Sequence, residues 1–537
     1  VSKIIRSVSP ETVIIVGGNL AASAEILLRR CEVDFCVIGE GQASIQDLVG
    51  AVTKKPWDFK KLKEIPGISF LDQEGKFYYT GNRKILSRNE LSLPDYNILE
   101  DSIDQYITED PDFLTLRGIN ISEDKKNKKS ARVMASLGCV ARCTFCHRFD
   151  KGYRVRPIEE TVKHLQYLID NHNVGFIQFN DENFGSHKGL TRELAENLGK
   201  LNLIWRVGGV RANTVDKETL QYWEENGCVA VNYGIETGSQ KMLDVMEKKT
   251  TVQENINALK WSFETGLTTT TQFIIGMPGE TDITIQETID FIKQSMAYYP
   301  PTLRDLPQFR VGVFYAQALP GTPLYEYDRE HGLIGNTIDD EEKYLESVSD
   351  IDANNPEHFI NATKHPLLKV RLWGHKVGGE SQRFYLQKVH GLTFSFTQVI
   401  IDLTLRTLDG LLRRLSPRKR KKTAFTYDEY DSIGFQRISR IKINTPIEKI
   451  LSKHFDGKKS NMSLSQVLYL NSMARKILYP FLAIAVAFKT AHYSPFRVFF
   501  LFYEYIKWAL SRSFSTPPAL PEESLRKVVN ILPPLSN

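Results

Sequence analysis

The 537-residue sequence has few cysteines and no strong excess of either charge. Six cysteines are too few for a secreted, disulfide-stabilised chain of this length. The 69 Lys and Arg residues against 64 Asp and Glu residues give a net charge of only +5, so we expect no nucleic-acid partner. The apolar stretch at residues 477–488 is shorter than the roughly 20 residues that span a bilayer. A composition of 42% hydrophobic and 25% charged residues excludes a polytopic membrane protein.

The composition, 42% hydrophobic and 25% charged, is that of a globular protein, and the length suggests two to four domains. The sequence begins at Val1 without a basic segment followed by an apolar run, so it shows no secretory leader. We expect residues of the natural protein to precede Val1. The predicted location is the cytoplasm, with membrane association as an option.

The first 50 residues read as part of a doubly wound α/β unit. Buried-strand patterns at 12–16 and 35–38 flank a helical stretch at 21–30, and the two strands end in paired or spaced glycines. We predict the C-terminal part of a Rossmann-like domain over residues 1–50. Residues 51–130 are predicted to be a linker that contains a β-hairpin.

Strand and helix patterns then alternate six times. The strand patterns cover residues 132–136, 176–180, 205–208, 230–234, 270–275 and 311–316. This alternation predicts a (β/α)6-type partial barrel over residues 131–335, with its site at the carboxyl ends of the strands. Residues 336–537 are predicted to be a mostly α-helical C-terminal region.

Three of the six cysteines lie within eight residues, just after the first barrel strand. Cys139, Cys143 and Cys146 have the spacing C-x3-C-x2-C. Three thiolates from one loop can bind three irons of a 4Fe–4S cluster and leave the fourth iron open to another ligand. A structural zinc site, with His147 as a fourth ligand, is the alternative.

This loop resembles the signature of the radical S-adenosylmethionine (SAM) superfamily. Further segments occur in that family's order, and the resemblance spans roughly residues 1–335. The matching segments are Phe145 before the third cysteine, 179–182 (FNDE), 234–239 (GIETGS), 274–280 (IIGMPGE) and 319–325 (LPGTPLY). Residues 179–182 depart from the family pattern because they lack its Gly-Gly-Glu sequence.

The resemblance implies that the three cysteines hold a 4Fe–4S cluster and that SAM binds beside it. The implied SAM-binding residues are Phe145, Asn180, Asp181, Glu182, Arg211, Glu236 and Gly276. Carboxylates suit the positive sulfonium and ammonium groups of SAM. Asp181 and Glu182 could instead cap a helix, and Arg211 could pair with Glu236, with the SAM carboxylate, or in a plain structural ion pair. We expect Glu280 to be a solvated turn carboxylate.

The glycines of the first domain resemble the end of the cobalamin-binding domain that precedes many radical SAM barrels. Gly17, Gly18, Gly39, Glu40 and Gly41 are the implied cobalamin-binding residues. The lower-ligand motif of that family, D-x-H-x-x-G, would precede Val1, and the copy within the barrel at 170–175 is interpreted as coincidental. A domain of this type that holds no cofactor is the alternative.

The C-terminal region matches no motif. Aromatic and basic residues interleave from 475 to 512, which suits either a helix on an anionic membrane surface or an ordinary core helix. Trp373, His375 and His390 are candidate substrate contacts, although such residues are more often packed in a core.

We therefore predict a radical SAM enzyme, a methyltransferase or an oxidoreductase (cyclase). The sequence resembles the Mg-protoporphyrin monomethyl ester cyclase-like and hopanoid-methylase-like members of the cobalamin-associated radical SAM enzymes. Implied partners are a small-molecule or lipid-like substrate, such as an isoprenoid or tetrapyrrole, and a reductant such as flavodoxin or ferredoxin. The alternatives are a radical SAM oxidoreductase without functional cobalamin and a zinc-stabilised binding protein that is not an enzyme.

Overall fold

The computed structural model describes residues 1–91, 103, 107, 125, 127–146, 152–298, 311–335, 337–349, 359–390, 479–490 and 495–512. Contacts divide the chain into two units. The first comprises residues 1–306, 310–378 and 483–537, and the second comprises 307–309 and 379–482. The first unit contains both the N-terminal α/β domain and the barrel. His147 and residues 92–102 of the predicted linker lie outside the described residues.

The N-terminal domain is built on a four-stranded sheet. Strands β1 (Ile15–Val16) and β2 (Phe35–Val37) are parallel, as expected of a doubly wound unit. The hairpin β3 (Ile68–Leu71) and β4 (Phe77–Tyr79) adds two antiparallel strands, because β3 pairs with β2. The predicted hairpin therefore completes this sheet, whose two sequence-predicted strands were too few to stand alone. Its helices are α1 (Ser2–Val8), α2 (Ala24–Arg30), α3 (Gly41–Val52) and α4 (Phe59–Glu64).

The barrel is a six-stranded sheet in which every pairing is parallel, which confirms the predicted fold class. Its strands, in chain and spatial order, are β5 (Lys129–Val133), β8 (Val174–Phe179), β9 (Ile204–Val210), β10 (Cys228–Glu236), β11 (Thr268–Ile275) and β12 (Val311–Tyr315). A separate two-stranded ribbon, β6 (Ser136–Leu137) and β7 (Arg154–Val155), flanks the cysteine loop. Simple β-α-β connections bring all six carboxyl ends to one edge.

Helices connect the barrel strands, and their apolar faces pack on the sheet. They are α5 (Ile158–His172), α6 (Lys188–Lys200), α7 (Lys217–Glu225), α8 (Gln240–Val245), α9 (Val252–Glu264), α10 (Asp282–Ser295) and α11 (Pro323–Glu330). The capping box of Thr251 and Glu254 shows why α9 begins where it does, because each side chain accepts a backbone N–H of the first turn. Trp205 and Trp223 are fully buried in the barrel core.

The N-terminal domain contacts the barrel through apolar and charged side chains. Ile26 of α2 belongs to the same core cluster as Met246 and Leu324 of the barrel. Just beyond the barrel, in the helical segment 338–349, Asp339 forms an ion pair with Arg30, and so does Glu342 at 3.4 Å. These contacts hold α2 against the end of the barrel.

The described C-terminal region is helical, as predicted. Its elements are α12 (Ile338–Ser349), α13 (Leu367–His390), α14 (Tyr479–Thr490) and α15 (Pro495–Arg512). Trp373 of α13 is buried and donates its indole N–H to Asp282 at 2.9 Å, whereas His375 is exposed. The His390 side chain lies outside the described residues. Among the described helices, none combines the length and the apolar character needed to cross a membrane.

Candidate active site at the mouth of the barrel

The cysteine loop is fixed at both ends. Gly138, directly before Cys139, has φ 76°, and a Cβ there would collide with the Gly152 carbonyl oxygen, so only glycine fits. At the other end, the Thr144 N–H donates to the Met246 carbonyl at 3.0 Å. The Thr144 carbonyl accepts the Leu324 N–H at 2.9 Å. The loop is therefore held between the β6–β7 ribbon and the segments that follow β10 and β12.

The three thiols are graded in exposure but share one electrostatic environment. Cys143 is buried, Cys139 is half-buried and Cys146 is exposed at the mouth. Desolvation by surrounding protein atoms raises the pKa of Cys146 to about 11 and also raises the pKa of Cys139. Cys143 and the Glu182 carboxylate raise both pKa values further, while Lys248 opposes this at Cys146 and Arg211 at Cys139. The thiols are thus close enough for their charges to interact.

Two cations and one carboxylate lie beneath the cysteine loop. The Lys248 ammonium contacts the Glu236 carboxylate at 2.7 Å, and both side chains are about nine-tenths buried. Burial alone would lower the pKa of Lys248, but Glu236 and then Cys143 raise it above its ordinary value. Arg211 donates to the Lys248 carbonyl, and its other terminal nitrogen lies 3.9 Å from the Cys143 sulfur. Glu236 therefore pairs with Lys248, a residue that the sequence reading missed.

Glu236 occupies a backbone conformation that is unfavourable for a residue with a side chain. Its φ is 65°, at the end of β10, where glycine would be favoured. A non-glycine residue in this region costs on the order of 1 kcal/mol or more, which is typical of functional sites. The Phe145 ring lies 5.8 Å from the Lys248 ammonium, so the aromatic residue before the third cysteine faces the same charged group.

Asn180 and Asp181, which follow β8, differ in burial and in hydrogen-bond partners. Asn180 is exposed and its side-chain oxygen accepts from Gln178 at 2.8 Å. Asp181 is 3% exposed and accepts from the Ser136 hydroxyl and from the Ala135 N–H at 3.2 Å. Burial raises the Asp181 pKa to about 6, although these hydrogen bonds oppose the rise. Asp181 thus fastens β8 to the start of the β6 ribbon rather than capping a helix.

The expectation that Glu280 is solvated is wrong. Glu280 is 2% exposed, and its carboxylate accepts the Gly276 N–H of its own turn. Burial raises the Glu280 pKa to about 8. Gly276 has φ 88°, and a Cβ there would lie 2.5 Å from the Phe359 ring. The turn after β11 is therefore closed by its own carboxyl group and covered by an aromatic ring.

A cavity of about 410 Å³ opens between the N-terminal domain and the cysteine loop. The glycine turn of the N-terminal domain forms one wall, and Gly138 and Glu182 are on the other. The full lining is Gly39, Glu40, Gly41, Gln42, Met134, Leu137, Gly138 and Glu182. Gly39, Glu40 and Gly41, which the sequence suggests as cobalamin-binding residues, therefore line the same cavity as two residues of the barrel mouth, Gly138 and Glu182.

The donor set fits an iron–sulfur cluster. Three thiols on one loop interact electrostatically, and Arg211 and Lys248 supply the positive charge that favours thiolates. A cube is wider than a single ion, and each cysteine binds a different iron. Within the described part of the chain, no three His, Cys, Asp or Glu side chains are grouped as one metal ion requires. His147, the fourth zinc ligand considered, lies outside that part.

The model of the radical SAM superfamily matches residues 133–292, a range that contains the three cysteines, Arg211, Glu236 and Gly276. Residues 133–292 therefore form a radical SAM domain. A domain of this family implies an enzyme that uses a 4Fe–4S cluster and SAM.

Several known proteins are similar to this chain. An uncharacterized methyltransferase of Pyrococcus horikoshii is 28% identical over 342 residues, or 62% of this chain and 67% of that protein. The anaerobic magnesium-protoporphyrin IX monomethyl ester cyclase of Rubrivivax gelatinosus is 28% identical over 53% of this chain, which spans 50% of the cyclase. The solved structure of the cobalamin-dependent radical SAM enzyme OxsB, with aqua-cobalamin and SAM bound, has a TM-score of 0.51 at 16% identity. That match covers 98% of this chain and 72% of OxsB, and it indicates a shared fold.

Proposed function

We propose that this radical SAM protein uses cobalamin to methylate an unactivated carbon atom of a small-molecule or lipid-like substrate. The observation that carries the proposal is the cavity at which Gly39, Glu40 and Gly41 face Gly138 and Glu182. A cofactor held by the N-terminal domain would there lie next to the cysteine loop. The named methyltransferase relative and the OxsB fold support this reading.

The proposed cluster ligands are Cys139, Cys143 and Cys146. A cluster held by these three thiolates would supply the electron for reductive cleavage of SAM, and with it the radical chemistry that removes hydrogen from an unactivated carbon. The chain's own contribution is to hold three thiolates at the barrel mouth. Arg211, at 3.9 Å from the Cys143 sulfur, stabilises their negative charge.

The proposed SAM-binding residues surround this loop. Phe145 offers an aromatic face, and Asn180 and Glu182 are exposed after β8. Arg211, the paired Glu236 and the glycine turn at Gly276 complete the proposed set. Asp181 is proposed to act by fixing Ser136 and Ala135, since its carboxylate already accepts from both.

The proposed cobalamin contacts are Gly17, Gly18, Gly39, Glu40 and Gly41. Cobalamin, when bound, supplies a carrier for the methyl group. Glycines at strand ends allow a large ligand to approach the backbone closely. We further propose a division into an N-terminal domain whose sheet takes in the hairpin of segment 51–130, the barrel (131–335) and a helical region (336–537).

Oxidative cyclisation is the second candidate, because the Rubrivivax gelatinosus relative is a cyclase. A tetrapyrrole or isoprenoid substrate would suit either reaction. Both reactions need an electron donor, for which flavodoxin or ferredoxin is proposed. The proposed setting is the cytoplasm, because none of the six cysteines, all of which are described, forms a disulfide, as is usual in a reducing compartment.

The test is product analysis of anaerobically reconstituted full chain with added cobalamin, SAM, reductant and a set of candidate lipid and tetrapyrrole substrates. Methyl transfer converts SAM to S-adenosylhomocysteine, whereas hydrogen abstraction releases 5′-deoxyadenosine. Release of both products together, dependent on cobalamin, is the expected result. Release of 5′-deoxyadenosine alone, with or without cobalamin, would overturn methylation in favour of an oxidoreductase. A Cys143→Ala variant is the matched control and should release neither product.

We also propose that α15 rests on an anionic membrane surface. Its outward apolar side chains are each between 51% and 79% exposed: Phe496, Phe499, Phe500, Tyr503, Ile506 and Leu510. The opposite face is occupied, because Trp508 packs on His365 at 5.5 Å and on the Lys369 ammonium at 4.1 Å. Arg497 and Lys507 are exposed beside the apolar stripe, which suits acidic headgroups.

Vesicle co-sedimentation tests this proposal. We expect binding to phosphatidylcholine vesicles that contain phosphatidylserine and weaker binding to phosphatidylcholine alone. Phe499→Ser should reduce binding several-fold, whereas Ile283→Ser, which changes a residue 70% exposed on α10, should not. Equal binding by both variants and wild type would contradict the proposal.

A further inference from the structure

A buried ion pair joins the N-terminal domain to the ribbon beside the cysteine loop. Arg154 of β7 reaches Glu40, which lies directly before α3, with both terminal nitrogens, one of them at 2.8 Å. The Arg154 nitrogen that lies 2.8 Å from Glu40 also donates to the Leu86 carbonyl at 2.9 Å. Both charged side chains are only 10% exposed. This is the two-pronged geometry that arginine forms with carboxylates and that lysine cannot reproduce.

The arginine end of this pair lies on the strand that pairs with the segment before Cys139. Arg154 pairs in register with Leu137 across the antiparallel ribbon. Leu137 is followed by Gly138, where an added Cβ would collide with the Gly152 carbonyl oxygen, and then by Cys139. A shift of Arg154 would therefore shift the start of the cysteine loop.

The glutamate end of the pair belongs to the cavity wall. Glu40 lines the cavity together with Gly39 and Gly41, and Leu137 and Gly138 line it from the barrel side. Burying two charges costs free energy, so such a pair is weak evidence for net stability, and in some proteins it fixes the position of the groups it joins. The same carboxylate thus borders the cavity and anchors the ribbon.

We propose that Glu40 and Arg154 are positioning residues that lock the glycine turn of the N-terminal domain to the loop that carries Cys139. The pair keeps the two walls of the cavity in one fixed geometry, so that the cysteine loop is held in place from the neighbouring domain. The inference rests on the proposed function only in that a cluster is held at Cys139.

The test compares Glu40→Gln and Arg154→Met with Asp339→Asn. The control breaks another ion pair of the N-terminal domain, that of Arg30 with Asp339 of α12, which is exposed and remote in sequence from the ribbon. In reconstituted protein, a chelator should bleach the cluster absorbance about tenfold faster in each test variant, as expected for removing a coupled contact. The double variant Glu40→Gln/Arg154→Met should bleach no faster than either single variant. Asp339→Asn should match wild type.

Hydrogen exchange of the protein without cofactors supplies a second readout. Backbone amides of residues 136–146 should exchange several-fold faster in Glu40→Gln than in wild type or Asp339→Asn. Wild-type exchange and bleaching rates in both test variants would overturn the inference. Failure of the wild-type chain to take up iron would overturn the proposed function instead, and the exchange comparison would still decide the role of the pair.

Discussion

Replacing Lys248 by methionine should destabilise the barrel strongly, because it leaves the Glu236 carboxylate buried without its cation. The two charged atoms are 2.7 Å apart and both side chains are about nine-tenths buried. At an effective dielectric constant of roughly 20, two unit charges at this separation attract by about 6 kcal/mol. Desolvation offsets part of this attraction, and loss of one partner of a buried pair typically costs about 3–5 kcal/mol.

A matched double variant separates the charge effect from the loss of packing. Methionine is similar in length to lysine, so Lys248→Met leaves little empty volume. Glu236→Gln/Lys248→Met removes both charges and should recover most of the lost stability. The residual deficit should be about 1–2 kcal/mol, because the contact between the ammonium and the Phe145 ring at 5.8 Å is also lost.

The assay is urea unfolding followed by tryptophan fluorescence, since Trp205 and Trp223 are fully buried in the barrel. With a slope of about 3 kcal/mol per M, the midpoint for Lys248→Met should fall by about 1 M or more. A midpoint within about 0.3 M of wild type would refute the reasoning. So would a double variant no more stable than Lys248→Met.

Three further predictions follow from the turns around the site. Because burial raises the Glu280 pKa to about 8, the folded chain holds a proton there that the unfolded chain has lost, so wild-type stability should fall as pH rises from about 5 through 8. Glu280→Gln should flatten this dependence in urea midpoints measured across that range. Gly276→Ala should cost about 2 kcal/mol or more in the same assay, since its Cβ would press on Phe359 at a positive φ. Gly138→Ala should lower iron uptake on reconstitution, because its Cβ would collide with the Gly152 carbonyl; uptake equal to wild type would contradict the loop geometry.

The fold could be predicted largely from the sequence because its signals are local. Strand and helix periodicity gives the six parallel strands, and β10 and β11 extend only a few residues beyond the predicted ranges. The pairing of the hairpin Ile68–Leu71 with Phe35–Val37 was not predictable, because nothing in the spacing tells which strand a hairpin joins. The hairpin was therefore placed in a linker.

The candidate site could be predicted in its ligands but not in its charge network. The C-x3-C-x2-C spacing of Cys139, Cys143 and Cys146 is enough to predict them as cluster ligands. The pairing of Lys248 with Glu236 depends on how the turn after α8 passes beneath the cysteine loop, which is a tertiary contact. Glu280 was assigned to solvent because turn carboxylates usually are solvated, and the sequence does not reveal that this one folds back onto Gly276.

The central claim is that Cys139, Cys143 and Cys146 hold a 4Fe–4S cluster with one iron open to SAM. Electron paramagnetic resonance of the anaerobically reconstituted, reduced chain, with and without SAM, tests it most directly. The wild type should bind about four irons per chain and give a cluster signal that changes shape when SAM is added. The signal should be lost in Cys143→Ala and retained in Cys228→Ala, which removes a buried thiol remote in sequence from the loop. An unchanged signal in Cys143→Ala, or a chain that binds zinc and no iron, would contradict the account.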